Sequence, residues 1–165
     1  MSNWFLIHTK PRQEEKAFEN LKNQGFDCFY PKILQEHNLK THLSLKLSPL
    51  FPSYLFIQLD TTVRGQSWQP IKSTIGVNRL VTFGAQMPKI SEDLIYTLKN
   101  YSQHENQAKD YFTQGEKVLV TSGPFKGIEA VFQMKDGQDR VFVLIDILSK
   151  SSRLRIEPSL LKKLN

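Results

Sequence analysis

A single cysteine, Cys28, stands in this chain of 165 residues. An internal disulfide is excluded, and so is a zinc site built on paired cysteines. The histidines, His8, His37, His42 and His104, are scattered, and the spacing of His37 and His42 fits no usual metal pattern. The chain has no apolar run near the roughly 20 residues that cross a bilayer. Its start, Met1-Ser2-Asn3-Trp4-Phe5-Leu6-Ile7, lacks a basic segment and a long apolar one, so it does not read as a signal peptide. A cytoplasmic protein is expected. G-x-S-x-G, P-loop and G-x-G-x-x-G motifs are all missing. Glu14-Glu15 and Glu92-Asp93 fall at expected helix starts, where carboxylates favour the positive end of the dipole. No nucleophile, base and orienting partner come together, so neither an enzyme, a metal nor a cofactor is expected.

What the chain does have is a globular composition, 39% hydrophobic and 23% charged, with net charge +6. Residues 1–100 carry 12 basic and 8 acidic side chains, against 10 and 8 in residues 101–165. The excess serves solubility or a polyanionic partner. If the partner is nucleic acid, the first part is the better place for it.

Hydrophobic periodicity divides the chain in two. Trp4–Ile7 reads as a short buried strand. A helix to about Gln24 follows, with Thr9 as its cap, Pro11 in its first turn and Gly25 at its stop. Ala17, Phe18 and Leu21 form its inner face, with Arg12, Gln13, Lys16 and Asn20 opposite. Phe26–Leu34 is a strand broken at Pro31, and the alternating His42–Leu47 forms a hairpin with Ile33–Gln35. Leu50–Leu59 is a central strand entered through Pro52. A short helix is expected within Trp68–Ile75, a strand over Gly76–Phe83, and a helix capped by Ser91 with Leu94, Ile95 and Leu98 inward. This order implies an α+β sandwich with an antiparallel sheet. The polar stretch Asn100–Gln114 is the best boundary. It gives a first domain over 1–100, a linker over 101–112 and a second domain over 113–165. There, Lys117–Val120, Ile128–Phe132, Arg140–Ile145 and Arg153–Ile156 read as strands of a small barrel.

Two groups of segments carry a resemblance. Gly115–Phe132, with Gly123, Phe125 and Gly127 in its turn, resembles a KOW motif. Leu50-Phe51-Pro52-Ser53-Tyr54-Leu55-Phe56 resembles the P-L-F-P-x-Y-x-F signature of the NGN domain, and Ile75-Gly76-Val77 with Leu80–Gly84 resembles its later strand. Trp4, Lys10, Gln13, Lys16 and Ala17 match its beginning. NGN followed by KOW resembles the NusG/RfaH family of transcription elongation factors. The Lys10-x-x-Gln13-x-x-Lys16 spacing, Phe83-Gly84, Ala130 in the usual place of glycine, and Leu144–Lys150 resemble its RfaH branch.

The resemblance implies a factor that binds RNA polymerase and suppresses pausing and termination in selected operons, acting as a monomer. Leu6, Tyr54, Phe56, Leu80 and Phe83 would dock on the β′ clamp helices of the polymerase. Lys10, Gln13, Lys16 and Thr74 would contact the non-template DNA strand. Phe125, Ile128 and Leu148 would touch the ribosomal protein NusE, coupling transcription to translation. Leu6 and Leu80 read equally well as ordinary core, and the lysines as a solvated helix face. The chain departs from the RfaH pattern in three places. Ser67-Trp68-Gln69 stands where a His-Thr-Thr run meets the polymerase gate loop. Ser48 stands opposite Arg140 where the branch has Glu, and Ile75 replaces an Arg. A general NusG and a KOW-type RNA-binding ribosomal or assembly protein are the rival functions.

Residues 128–148 support two periods. Read at period 2 they are strands. Read at period 3.6, Val141, Leu144, Ile145 and Leu148 make one helical stripe. Ala130 adds about 1 kcal/mol of helix preference over glycine, while Val131, Val141 and Val143 favour strand. A helical hairpin could cover Tyr54 and Phe56 at rest, with the barrel forming on release.

Overall fold

A computed structural model describes residues 2–38, 43–62, 67–104 and 128–151. Strand β1 (Ser2–Thr9) leads to helix α1 (Glu14–Asn23), then β2 (Asp27–Phe29), β3 (Lys32–Asn38), β4 (Leu43–Pro49) and β5 (Tyr54–Asp60). Helix α2 (Gln69–Lys72), strand β6 (Val77–Leu80) and helix α3 (Glu92–His104) follow, and the last described segment holds α4 (Ile128–Val131) and α5 (Gly137–Ser151). Four strands form one antiparallel sheet in the order β2-β5-β1-β6, and β3 pairs with β4 in a separate ribbon. The fold is thus mixed α/β with antiparallel strands.

The sheet is buried on both faces, so β1 and β5 are apolar along their middles and do not simply alternate. Side chains two apart share a face. Phe5, Ile7, Leu55 and Ile57 meet Ala17 and Leu21 of α1 and Ile71 of α2. Trp4, Leu6 and Phe56 face the other way, toward Leu94, Ile95 and Leu98 of α3. The same cluster takes in Ile128 and Val131 of α4, then Val141, Leu144, Ile147 and Leu148 of α5.

Several expectations need correction. Thr9 does not cap α1: it is buried at the end of β1, and its hydroxyl donates to the Lys10 carbonyl at 3.2 Å. The chain needs a further turn, with Arg12 at φ 61°, before α1 begins behind Gln13. Ser91 does cap its helix, its Oγ accepting from the Leu94 amide at 3.2 Å. That helix runs to His104. The break expected at Pro31 is present, and the two pieces, β2 and β3, join different sheets.

In the last segment the structure takes the helical one of the two periods: the strands read over Ile128–Phe132 and Arg140–Ile145 are not formed, and helices α4 (Ile128–Val131) and α5 (Gly137–Ser151) stand there. The stripe of Val141, Leu144, Ile147 and Leu148 finds an apolar surface to lie on, and burying it outweighs the strand preference of valine. Asp136 starts α5, its carboxylate accepting from the Gln138 amide at 2.8 Å. Lys117–Val120 and Arg153–Ile156 lie outside the described residues.

Candidate functional site

The expected docking face is the side of the sheet that carries Phe56. Leu6 and Phe56 pair across β1 and β5 and are fully buried. Phe56 meets Phe29 at 5.7 Å and Phe51 at 6.1 Å between ring centroids. Tyr54, half-buried, stacks on His8 at 5.1 Å, and Phe83 is half-buried against the same cluster. Leu80 is not part of this face. It pairs with Ile7 and turns with it toward the α1 side. Tyr54 and Phe56 share a face as the alternation predicts, but they are not an exposed pair. The helices α4 and α5 join Phe56 in one cluster, and Tyr54 and Phe83 stay partly open at its margin. Burial raises the Tyr54 hydroxyl pKa above its ordinary value, and the charge of Arg79 partly opposes this.

Arg140 fastens α5. Its side chain is 1% exposed, and its Nε donates to the Leu50 carbonyl at 2.6 Å. The two terminal nitrogens reach the carbonyls of Met134 at 2.7 Å and Pro49 at 3.3 Å. One side chain thereby ties α5 to its own preceding turn and to the turn between β4 and β5. Charge-assisted bonds to neutral carbonyls are what make so buried a guanidinium tolerable. The sequence marked Arg140 by its missing Glu; it held no sign of carbonyl acceptors, which belong to every residue alike. Gly137 lets the helix start come close: a Cβ there would stand 2.9 Å from Pro52 Cδ and closer still to Cγ. Gln35 Nε2 adds a bond to the Lys135 carbonyl at 2.9 Å.

The expected DNA edge is assembled in part. Lys10 and Lys16 are exposed and Gln13 is half-exposed, all around the start of α1. The Lys10 amide donates to the Gly76 carbonyl at 2.9 Å, which binds this edge to the turn before β6. Gly76 sits at φ +96°, and a Cβ there would meet the Ala17 backbone at 2.8 Å. Thr74 is not presented. It is 6% exposed, and its hydroxyl donates to the Pro70 carbonyl at 2.7 Å and accepts from Gln24 Nε2 at 2.8 Å. The side chain that projects from this turn is Ile75, 66% exposed. Trp68, in the place of the expected gate-loop contact, packs its ring on Phe5 at 5.8 Å.

Of the residues expected to meet a ribosomal protein, Ile128 and Leu148 are buried on the sheet and Phe125 lies outside the described residues. Among the described residues, no three His, Cys, Asp or Glu side chains gather as metal ligands, and no helix is long and apolar enough to cross a membrane.

The sequence is similar to known proteins. The family model described as "Transcription termination factor nusG" matches residues 2–98. Proteins named "Transcription termination/antitermination protein NusG" are similar along nearly the whole length. The one from Thermus thermophilus is 26% identical, covering 93% of this chain and 94% of its own. The one from Staphylococcus epidermidis is 27% identical, covering 98% and 95%, and that of Deinococcus radiodurans 24%, covering 97% and 98%. A solved structure described as "Domain interaction in Thermotoga maritima NusG" overlaps at a TM-score of 0.41 and 17% identity, over 67% of this chain and 63% of that one. With its NGN-type sheet and helices inside the matched span, the chain belongs to the NusG family of transcription termination and antitermination factors.

Proposed function

We propose that this chain is an elongation factor of the RfaH kind, which binds RNA polymerase in selected operons and there suppresses pausing and termination. The observation that carries the reading is the cover over Phe56. Leu6 and Phe56, expected to dock on the β′ clamp helices, lie in one cluster with Val141, Leu144, Ile147 and Leu148 of the chain's own α5. Such a cover suits a factor that must wait for a recruiting signal.

Docking then requires α4 and α5 to leave. Once released, residues 113–165 form a small KOW barrel on the linker 101–112, beside the NGN domain 1–100. Phe125, Ile128 and Leu148 become free to meet the ribosomal protein NusE and couple the polymerase to translation. Lys10, Gln13 and Lys16 hold the exposed non-template strand, a contact of charge and hydrogen bonds needing no catalytic group. The factor acts as a monomer in the cytoplasm.

A second reading, a general NusG, is favoured by the names of the relatives. Single-round transcription separates the two. Pause lifetimes are measured with the purified chain on a template from its own operons and on arbitrary templates. Shortened pauses on the first alone are expected. An equal effect on every template identifies a general factor and ends the operon-specific reading.

A further inference from the structure

One row of the docking face lies beyond its cover. Tyr54, His8 and Arg79 are register partners across β5, β1 and β6. They stand one step outward from the buried row of Phe56, Leu6 and Val81. Tyr54 and His8 are half-buried with ring centroids 5.1 Å apart, while Arg79 is exposed. Asn78 Nδ2 lies 2.7 Å from His8 Nδ1 and fixes that ring. Among the described residues no carboxylate stands within ion-pair distance of Arg79. Its charge nonetheless reaches both rings: it lowers the His8 pKa, second to burial, and opposes the rise at Tyr54.

An apolar centre edged by aromatic and arginine side chains is the anatomy of a protein interface. The occupant of the centre is visible in this chain, since α5 lays an apolar stripe over it. Whatever replaces α4 and α5 must offer similar helices. Where such helices overrun the cover they meet a positive rim. We infer that the Tyr54–His8–Arg79 row receives a carboxylate of a helical protein partner, and receives it while α4 and α5 are still in place. This rests on the docking reading above. A nucleic-acid backbone is a poorer match, because it needs cations along a track and Arg79 is the one charged group of this row.

The test uses the full chain and assembled elongation complexes, with association and dissociation rates measured at low and high salt. Arg79→Glu should slow association about tenfold at low salt and leave dissociation nearly unchanged. The difference should shrink at high salt, and Arg79→Lys should recover most of the rate. Since Arg79 is exposed, circular dichroism should show both variants folded. Anisotropy with an unpaired oligothymidine runs in parallel. Equal association rates for Arg79→Glu and wild type overturn the inference. So does a matching loss of oligothymidine binding, which would give the row to nucleic acid. Failure of the docking reading shows separately: Tyr54→Ala with Phe56→Ala would leave affinity for the complex intact, whatever Arg79 does.

Discussion

On one face of the sheet, α1 and α2 lie over Phe5, Ile7, Leu55, Ile57 and Leu59, and every buried member of that cluster falls between residues 5 and 77. On the other, Trp4, Leu6 and Phe56 meet α3 and then α4 and α5, whose buried members run from residue 128 to 148. Distance along the chain explains little of the difference, because each doubling of a loop costs only about 0.6 kcal/mol. The material of the cover matters more. The first face is closed by helices with no second pattern in their sequence. The second is closed in part by a valine-bearing segment that can also be read as strand, with the α5 stripe and the buried Arg140 among the contacts that hold it. Two covers can therefore have similar apolar chemistry and differ in whether the covering sequence also fits a second period.

Cys28 reports on the first face. Its thiol is pushed up to about 12, chiefly by burial and then by Asp27. At neutral pH its thiolate fraction should be on the order of a thousandfold below that of an ordinary thiol. Alkylation by iodoacetamide should be slowed accordingly, and a rate near that of free cysteine would mean this face opens as readily as the other. Paired core substitutions sharpen the contrast. Leu21→Ala on the α1 side should cost about 3 kcal/mol of global stability. Leu144→Ala should instead loosen α5 while the main melting transition stays near its wild-type temperature. Equal losses in a thermal melt would make α5 part of the same core.

The proposed docking face comes next in size. Tyr54→Ala with Phe56→Ala should weaken binding to elongation complexes by about 2 kcal/mol. At the proposed DNA edge, Lys10→Ala and Lys16→Ala should each lower the slope of log affinity against log salt by about 0.9; an unchanged slope would leave these lysines as solvated surface. The smallest effect is on pH. The folded-state pKa of His8 lies below its ordinary 6.5, from burial first and Arg79 second. The unfolded chain therefore binds more protons between those two values, and stability rises with pH across that window. His8→Gln should flatten the acid side of the melting profile slightly, and an identical profile would show that His8 does not contribute.

Most of the first hundred residues were legible because their signals are short in range. The apolar pair Ala17 and Leu21, the Ser91 cap and the alternating hairpin arms each depend on neighbours a few positions away. The misses came where a partner lies far along the chain. Thr74 looked available, yet Gln24, fifty positions earlier, holds its hydroxyl. Leu80 looked like docking surface, but its side of the sheet follows from its pairing with Ile7. Residues 128–148 fit two periods equally well, and only the apolar face left open by β1 and β5 decides for helix. The carbonyls that receive Arg140 have no sequence signature at all.

That last feature has an evolutionary side. A pair of oppositely charged side chains is lost when either gene position drifts. The oxygens of Pro49 and Leu50 belong to the peptide chain itself, so substitution at those positions leaves these two acceptors present as long as the turn keeps its path. The fastening then depends on Arg140 and the path of one turn, and a change of side chain at Ser48 leaves both of these acceptors in place.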